Sequence, residues 1–408
     1  MTSRKLQPQD LIRAKGLPVV GGGLLTLQLL LLLLAIPSRA QTFSVLHQFN
    51  GGKDGANPAA SLVLDGSGNL YGTTFAGGSF DYGMVFEIDA SGKETILHGF
   101  WSGDGGRPQG GLIRDMAGNL IGTASDGGTP KGGECSHGCG TIFRVDSAGK
   151  FSEVHAFSTG TDGGGPTGSL VADHEGNLYG TANVGGDPRV CGVVFKLDTS
   201  GKESVLYAFK DFPDGCQPVG GLVQDRAGNF YGVTYAGGVY KYGSVFTVDR
   251  TGKEKVLYSF MEKGDGGGPE GPLALDTMGN LYGEADTVLF KLDKAGHETV
   301  LHSFNGPPDG SYPIGGAIVD SVGDIYGVTR DGGSGSACYF GCGTVFKVGS
   351  TGNETVLYNF TGASDGYAPS AGLVMDAFGN LYGTTYDGGN FSSCGEAGGC
   401  GVVFKLTP

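Results

Sequence analysis

Charge is scarce in this sequence, and positive charge scarcer still. Only 17% of the 408 residues are charged, with 27 Lys and Arg against 41 Asp and Glu, and there is a single Trp. A nucleic-acid or anionic-lipid partner needs a positive footprint that this balance does not supply. The 81 glycines follow no strict G-X-Y period, which excludes a collagen. Disorder is excluded as well, because hydrophobic residues make up 39% of the chain and aromatics 10%. No Cys and His set stands at zinc-site spacing, and no D-x-D-x-D-G loop offers a local calcium cage. Long helices are disfavoured beyond residues 1–40, since each interior Gly costs about 1 kcal/mol relative to Ala. An all-β chain rich in turns remains.

Residues 1–40 stand apart in composition. Arg4, Lys5, Arg13 and Lys15 precede a Leu-rich run from Leu24 to Ile36, and Ser38-Arg39-Ala40 places small residues at the −3 and −1 positions of a cleavage site. The segment reads as a secretory signal peptide cut after Ala40. The alternative is a retained membrane anchor, because the uncharged stretch from Leu17 to Ile36 is long enough to span a bilayer. Without residues 1–40 the chain carries 22 basic against 40 acidic residues. Gly401 to Pro408 show no apolar tail or sorting signal, so no anchor is expected there.

The pattern D-G-x-x-P recurs seven times, beginning at Asp54, Asp104, Asp162, Asp214, Asp265, Asp309 and Asp365. Each copy is followed by D-x-x-G-[ND]-[LFI]-[YI]-G, from Asp65 to Gly72 in the first and Asp376 to Gly383 in the last. Then come a Gly-rich loop, a G-x-[VI]-F-x-[LIV] segment and a [VI]-L-[HY]-x-F segment, although blade-like unit five lacks the loop. A period near 50 residues and four short strands per unit predict a seven-bladed β-propeller with four-stranded blades. The units run over about 42–94, 95–151, 152–203, 204–254, 255–298, 299–354 and 355–408. The chain ends on a third-strand segment, Val402 to Leu406, and a lone fourth-strand segment, Phe43 to Phe49, begins the predicted mature protein. Together the two ends complete one blade, so the last blade is expected to be closed by an N-terminal outer strand.

The runs Leu70 to Gly78 and Leu381 to Gly389, followed by G-x-V-F-K-L-D and E-T-V-L-x-x-F, resemble the Gloeo-Verruco tandem repeat of bacterial exported proteins, described as choice-of-anchor. The resemblance covers residues 42–408. It implies an exported repeat protein and supplies no catalytic residues.

Eight Cys in an exported chain favour disulfides over metal ligation. Cys135 with Cys139, Cys338 with Cys342, and Cys394 with Cys400 are local pairs between the second and third strands. Cys191 with Cys216 is the fourth. In an up-and-down blade the loops after the second and fourth strands emerge on one face, and length variation, cysteines and aromatics all concentrate there. Binding residues sit disproportionately on such loops. Trp101, Tyr82, Tyr240, Tyr242 and Tyr339 are the aromatic candidates for stacking on sugar rings, against the alternative that they cover loop backbone. In unit five Glu284-Ala285-Asp286-Thr287 replaces the whole Gly-Gly loop, leaving a notch in which Glu284 and Asp286 are candidate ligand contacts.

His47, His98, His155 and His302 interchange with Tyr207, Tyr258 and Tyr358 in the repeat, which argues for packing over catalysis. The seven D-G-x-x-P aspartates are expected to shape turns, with an acidic calcium-binding ring as the alternative. The preferred functional expectation is a secreted or periplasmic, monomeric, non-catalytic propeller that binds a glycan or protein through the loop face and requires no cofactor. The competing expectation is a lactonase, lyase or glycan hydrolase with a metal or acid near the central channel, where Arg114, Gln224 and Glu270 stand.

Overall fold

The computed structural model describes residues 41–128, 138–158, 160–186, 191–261, 263–391, 394 and 398–408. The predicted signal segment and Cys135 lie outside them. Among the described residues there is no helix long and apolar enough to cross a membrane.

Among the described residues twenty-eight strands form seven antiparallel four-stranded sheets. After β1 (Thr42–Gln48), blade one is β2 (Val63–Leu64), β3 (Leu70–Thr74), β4 (Met84–Ile88) and β5 (Glu94–Gly99). Blade two is β6 (Ile113–Arg114), β7 (Leu120–Ala124), β8 (Thr141–Val145) and β9 (Phe151–Ala156). Blade three is β10 (Val171–Ala172), β11 (Leu178–Ala182), β12 (Val193–Leu197) and β13 (Glu203–Ala208). Blade four is β14 (Cys216–Gln224), β15 (Phe230–Ala236), β16 (Ser244–Val248) and β17 (Glu254–Ser259). Blade five is β18 (Ala274–Leu275), β19 (Leu281–Ala285), β20 (Val288–Leu292) and β21 (Glu298–Ser303). Blade six is β22 (Ser311–Val319), β23 (Ile325–Asp331), β24 (Thr344–Val348) and β25 (Glu354–Asn359). Blade seven combines β26 (Val374–Met375), β27 (Leu381–Thr385) and β28 (Val402–Thr407) with β1. Strand β1 pairs antiparallel with β28 from Thr42↔Thr407 to Gln48↔Val402. This is the closure by an N-terminal outer strand that the chain ends imply.

The repeated residues explain the repeated geometry. In the first-to-second strand turn, Asp65 accepts hydrogen bonds from the backbone N–H of Ser67 and Asn69 at 2.8 and 2.9 Å, from the Asn69 amide at 3.1 Å and from the Tyr71 hydroxyl at 3.3 Å. Gly68 supplies the left-handed residue at φ +87°. One Asp side chain therefore organises the D-x-x-G-N-L-Y segment. Burial pushes its pKa up, but these donors more than offset that and hold it below the ordinary carboxylate value.

The Gly of strand two faces the Phe of strand three in every blade, as in Gly232↔Phe246. A Cβ on Gly232 would stand 2.7 Å from Phe246 Cζ and 3.0 Å from Leu222 Cδ2. The missing side chain is what lets the ring lie flat across the strand. Phe246 in turn meets Phe209 of the preceding blade edge-on at 5.0 Å, and equivalent Phe pairs join the other blades, including Phe49 with Phe86 and Phe360 with Phe404.

Each seam between blades also carries a polar cluster. In five seams the fourth-strand His or Tyr bonds to the Asp of the D-G-x-x-P that follows it: His98 to Asp104 at 3.0 Å, Tyr258 to Asp265 at 2.8 Å, His302 to Asp309 at 3.1 Å and Tyr358 to Asp365 at 3.0 Å, with Tyr207 on Asp214. His and Tyr interchange because each offers a flat ring with a polar tip at that point. The same Asp also accepts a backbone N–H at the strand's end, as Asp265 does from Met261 at 2.9 Å. Each of these bonds is made within its own seam.

From the next blade a Glu abuts five of these clusters. Burial, and then the nearby Asp charge, raises the carboxyls of Glu94, Glu203, Glu254 and Glu354 to about 7 and lifts Glu298 as well. In the other two seams the position is Phe: Phe43 stacks on Tyr358 at 3.9 Å and Phe151 on His98 at 3.7 Å. A folded-state pKa above the unfolded value means the fold binds protons more tightly, so this contribution is complete below the unfolded Glu value and is lost as pH rises through about 7. The turn aspartates act with the opposite sign, their contribution failing as pH falls. Stability should therefore peak at mildly acidic pH. Discounted for the water that still reaches these glutamates, the five together are worth about 3 kcal/mol, so Tm should be lower by ~4 °C at about pH 8.5 than at about pH 5.5. Calorimetry in matched ionic strength checks this, and a Tm rising over that interval contradicts it.

Candidate binding site at the loop face

Six D-G-x-x-P copies are stapled to the blade before them. The residue ahead of the Pro has φ between +50° and +60° in all seven copies, at Asn57, Arg107, Gly165, Gln217, Gly268, Tyr312 and Ala368. A non-glycine residue in this region is strained, so its repetition marks a geometry the ring requires. At Asn57, Arg107, Gly165, Gln217, Gly268 and Ala368 the N–H donates to a second-to-third strand loop carbonyl of the preceding blade, at 2.8 to 3.1 Å. Those carbonyls belong to Cys400, Tyr82, Cys139, Cys191, Tyr242 and Cys342. The seventh residue, Tyr312, faces blade five, where Glu284-Ala285-Asp286-Thr287 stands in place of the loop. The wall is absent there, and a pocket opens.

That pocket, about 440 Å³, is lined by Tyr235, Lys241, Tyr242, Glu270, Glu284, Asp286, Tyr312 and Arg330 among others. It shares Tyr235, Glu270 and Ile314 with a depression of about 400 Å³ at the mouth of the ring. It shares Tyr312 and Arg330 with a third cavity of about 700 Å³ over blade six, where Tyr339 and Phe340 stand exposed. The three form one groove running from the central mouth out over blade six. Arg330 stacks on the Tyr312 ring at 5.3 Å and pairs with Asp331 at 3.3 Å, so it sits fixed where two of the cavities meet.

The mouth itself is built from two rings of positions at which the repeats differ. The residue after the D-G-x-x-P proline is Ala59, Gln109, Thr167, Val219, Glu270, Ile314 or Ser370, and all seven line the depression. The residue closing the constant L-Y-G-T-T strand is Phe75, Ser125, Asn183, Tyr235, Asp286, Arg330 or Tyr386, and Asn183, Tyr235 and Tyr386 line it as well. Around them the backbones touch: a Cβ on Gly220 would stand 2.5 Å from the Gly271 carbonyl carbon.

Of the candidates read from the sequence, Tyr242, Glu284 and Asp286 line the pocket and Tyr339 lines the outer cavity. Tyr240 is exposed beside Lys241 and lines none of the three. Trp101 and Tyr82 belong to blades one and two and are not brought to the groove. The Trp101 indole lies over Gly103, where a Cβ would collide with it, and Tyr82 packs on Gly106 and the cluster around Phe100. Both cover loop backbone. Tyr235, Tyr312, Lys241 and Arg330 also line the pocket and were missed by aromatic and notch reasoning, and the signal for Tyr235 and Arg330 was the variable position closing a constant strand. Of the central-channel residues, Glu270 lines both the mouth and the pocket, whereas Arg114 lies over the Tyr71 ring at 5.7 Å.

Glu284 is the most unusual group present. It is 2% exposed, and burial raises its pKa to about 8 against the opposing hydrogen bond from Gly316. Disulfides join Cys191 to Cys216, Cys338 to Cys342 and Cys394 to Cys400, and Cys139 is bonded too. They hold loops of this face. Cys338–Cys342 and Cys394–Cys400 close short local loops, while Cys191–Cys216 ties blade three to blade four.

A sequence model of the Gloeobacter/Verrucomicrobia repeat matches residues 33–210, 131–288 and 284–408. No curated protein matches the chain. Among solved structures, a streptogramin B lyase is similar with TM-score 0.60 and 13% identity, over 90% of this chain and 97% of that one. A virginiamycin B lyase from Staphylococcus aureus gives TM-score 0.58 and 12% identity, over 90% of this chain and 100% of that one. The extracellular domain of a protein described as a one component system from B. thetaiotaomicron gives 0.58 and 11%, over 89% of this chain and 39% of that one. At such identities the likeness is one of fold.

Proposed function

The chain belongs to the Gloeobacter/Verrucomicrobia repeat family, and we propose that it is an exported, non-catalytic propeller that binds an extracellular glycan along the groove on its loop face. The observation that carries this reading is the groove itself: three adjoining cavities that share lining residues, with both tyrosines and polar groups in their walls. Flat aromatic faces with polar edges suit sugar rings, whereas a protein partner calls for a broader and flatter patch. Disulfides fit an oxidising compartment, and export through residues 1–40 leads to the periplasm or the cell exterior. The reading invokes no cofactor and places the protein as a monomer.

A glycan array with the mature chain tests this reading. Binding to one class of neutral oligosaccharide is expected, weakened roughly tenfold or more by Tyr312→Ala and unchanged by Trp101→Ala. An array without hits, or loss of binding on Trp101→Ala alone, contradicts it.

One feature favours the enzyme reading: burial raises the Glu284 carboxyl to about 8, into the range that suits a general acid near neutrality. The lyase names among the structural neighbours agree with that chemistry but come from proteins only 12–13% identical. Polysaccharide or lactone turnover by the wild type, lost in Glu284→Gln, would establish catalysis in place of binding.

A further inference from the structure

The seam between blades seven and one, where the ring closes, gathers a distinctive set of side chains. His47, Asp54 and Glu94 each offer a ligating atom, and the three atoms lie within 4.8 Å of one another. Among the described residues the other such set is Cys191, Asp211 and Cys216, whose sulfurs are already joined as a disulfide. His47 Nε2 faces Glu94 Oε1 at 3.9 Å, and both atoms are buried with no hydrogen-bond partner. The other His seams are filled differently. His98 stacks on Phe151, which stands where the Glu would be, and His302 Nε2 is bonded to Asp309 at 3.1 Å. His155, Asp162 and Glu203 repeat the three residue types, with His155 Nε2 at 4.0 Å from Asp162 Oδ2, but do not draw within the same limit.

Buried polar atoms that face each other without bonding are costly, and the chemistry of the set says what would satisfy them. One imidazole nitrogen and two carboxylates suit a divalent transition metal, and bonds of ~2.0–2.2 Å to one zinc put tetrahedral ligand atoms ~3.4 Å apart. Closing His47 and Glu94 to that spacing takes a side-chain adjustment of about half an ångström. The flanking groups hold the ligands in place: Phe49 packs edge-on against the His47 ring at 4.8 Å, and Asp54 Oδ2 accepts the Asn50 N–H at 3.1 Å and its side-chain amide at 2.7 Å. Burial, and then the Asp54 charge, raises the Glu94 carboxyl, and a cation between the two carboxylates cancels that repulsion. An ion can reach the cluster from the rim. The His47 and Glu94 side chains keep 16% and 13% of their surface exposed, Asp54 is half-buried, and its neighbour Asn50 is exposed. At the corresponding seam of blades five and six, His302, Asp309 and Glu354 line an open surface depression of about 570 Å³.

We propose that His47, Asp54 and Glu94 form a site for one divalent transition metal of the zinc type, which pins the closing strand to blade one. The ligands are His47 Nε2, Glu94 Oε1 and a carboxylate oxygen of Asp54, with water completing the shell. His47 belongs to β1, Asp54 to the first D-G-x-x-P and Glu94 to β5, so the ion joins the outer strand of blade seven to the outer strand of blade one. The site is separate from the loop-face groove and does not depend on what binds there. No conventional metal spacing announces it, because Glu94 meets His47 only once the N-terminal strand has closed the ring.

Calorimetric titration of the full mature chain, free of any polyhistidine tag, with zinc chloride at about pH 7 tests it. One tight equivalent should bind to the wild type. His47→Tyr and Glu94→Phe should each weaken that binding more than about tenfold, and His155→Tyr should leave it unchanged. The repeat itself shows that the fold accepts these side chains: Tyr207 and Tyr258 stand beside Glu254 and Glu298 at the equivalent place, and Phe151 takes the Glu position against His98. Zinc at roughly a hundredfold excess over its Kd should raise Tm by ~3 °C in the wild type and in His155→Tyr, and not in His47→Tyr. Calcium and magnesium at the same concentration should leave Tm unmoved, since an imidazole ligand selects against them. X-ray absorption at the zinc edge should show one imidazole among oxygen ligands. Absence of stoichiometric zinc binding, binding untouched by His47→Tyr, or its loss on His155→Tyr overturns the proposal. Sulfur or several imidazoles around the zinc would place the ion elsewhere, and an equal shift with calcium would overturn the assignment to a transition metal.

Discussion

Deleting residues 41–49 is expected to lower the melting temperature by at least ~10 °C and to broaden the transition. The deletion removes β1, and with it the whole outer strand of blade seven. Phe49, which is fully buried, meets Phe86 of blade one at 5.2 Å, so the cut opens a core seam as well as a sheet edge. Phe43 is lost from its stack on Tyr358 and from contact with Phe404 at 5.5 Å. Truncating a buried Phe costs about 3–5 kcal/mol, and here Phe49 leaves together with the half-buried Phe43 and a complete ladder of strand pairing. For a single domain of this size ~8 kcal/mol corresponds to roughly 10 °C. The exposed β28 edge also becomes a template for pairing with other chains, so the truncated protein should associate. Differential scanning calorimetry with light scattering reads both effects. A truncation that melts like the wild type would show that the ring does not depend on its closure.

The second large effect concerns the strand-two glycine and the ring that covers it. Phe246→Ala should cost about 3–5 kcal/mol, because the ring is fully buried between Gly232, Leu222 and Phe209. Gly232→Ala should cost about 1–3 kcal/mol for the opposite reason, since its Cβ would stand 2.7 Å from Phe246 Cζ. The two losses should not add. Once Phe246 is truncated, the methyl on residue 232 meets no ring and partly fills the cavity, so the double variant should be more stable than the sum of the singles predicts. Urea unfolding of the four proteins measures the coupling. Additive losses would mean that the glycine is present for strand conformation alone.

Much of this architecture was legible because it is periodic. Seven copies of D-G-x-x-P, the turn signature after each, and the complementary strands at the two ends lead directly to a closed ring of four-stranded blades. The Cys338–Cys342, Cys394–Cys400 and Cys191–Cys216 bridges were legible from local spacing and from the face on which the loops emerge. Contacts made across sequence distance were harder to see. Gly232 and Phe246 are separately conspicuous in their repeats, but only the register places one over the other.

The site was partly hidden for a different physical reason. Searching for repetition collects what is constant, and the residues lining the groove sit where the repeats diverge, at Glu270, Tyr235 and Arg330. Glu284 was found because its segment departs from the period by deletion. Trp101 and Tyr312 are both aromatics near glycine-rich loops, and sequence alone does not distinguish a ring that shields its own backbone from one that faces an open wall. The difference is the loop missing from blade five, which leaves Tyr312 without the neighbouring carbonyl that Arg107 and Gln217 have.

The most direct test of the account is hydrogen exchange of the mature chain with and without its best-binding oligosaccharide. Protection should appear together in residues 235–242, 267–271, 284–286 and 311–316 and in the blade-six loop from 330 to 341, leaving blades one and two unchanged outside the central mouth. Protection centred on Trp101 and Tyr82, or spread over the short-turn face, would place the site elsewhere and contradict the claim that ligand recognition lies where blade five breaks the repeat.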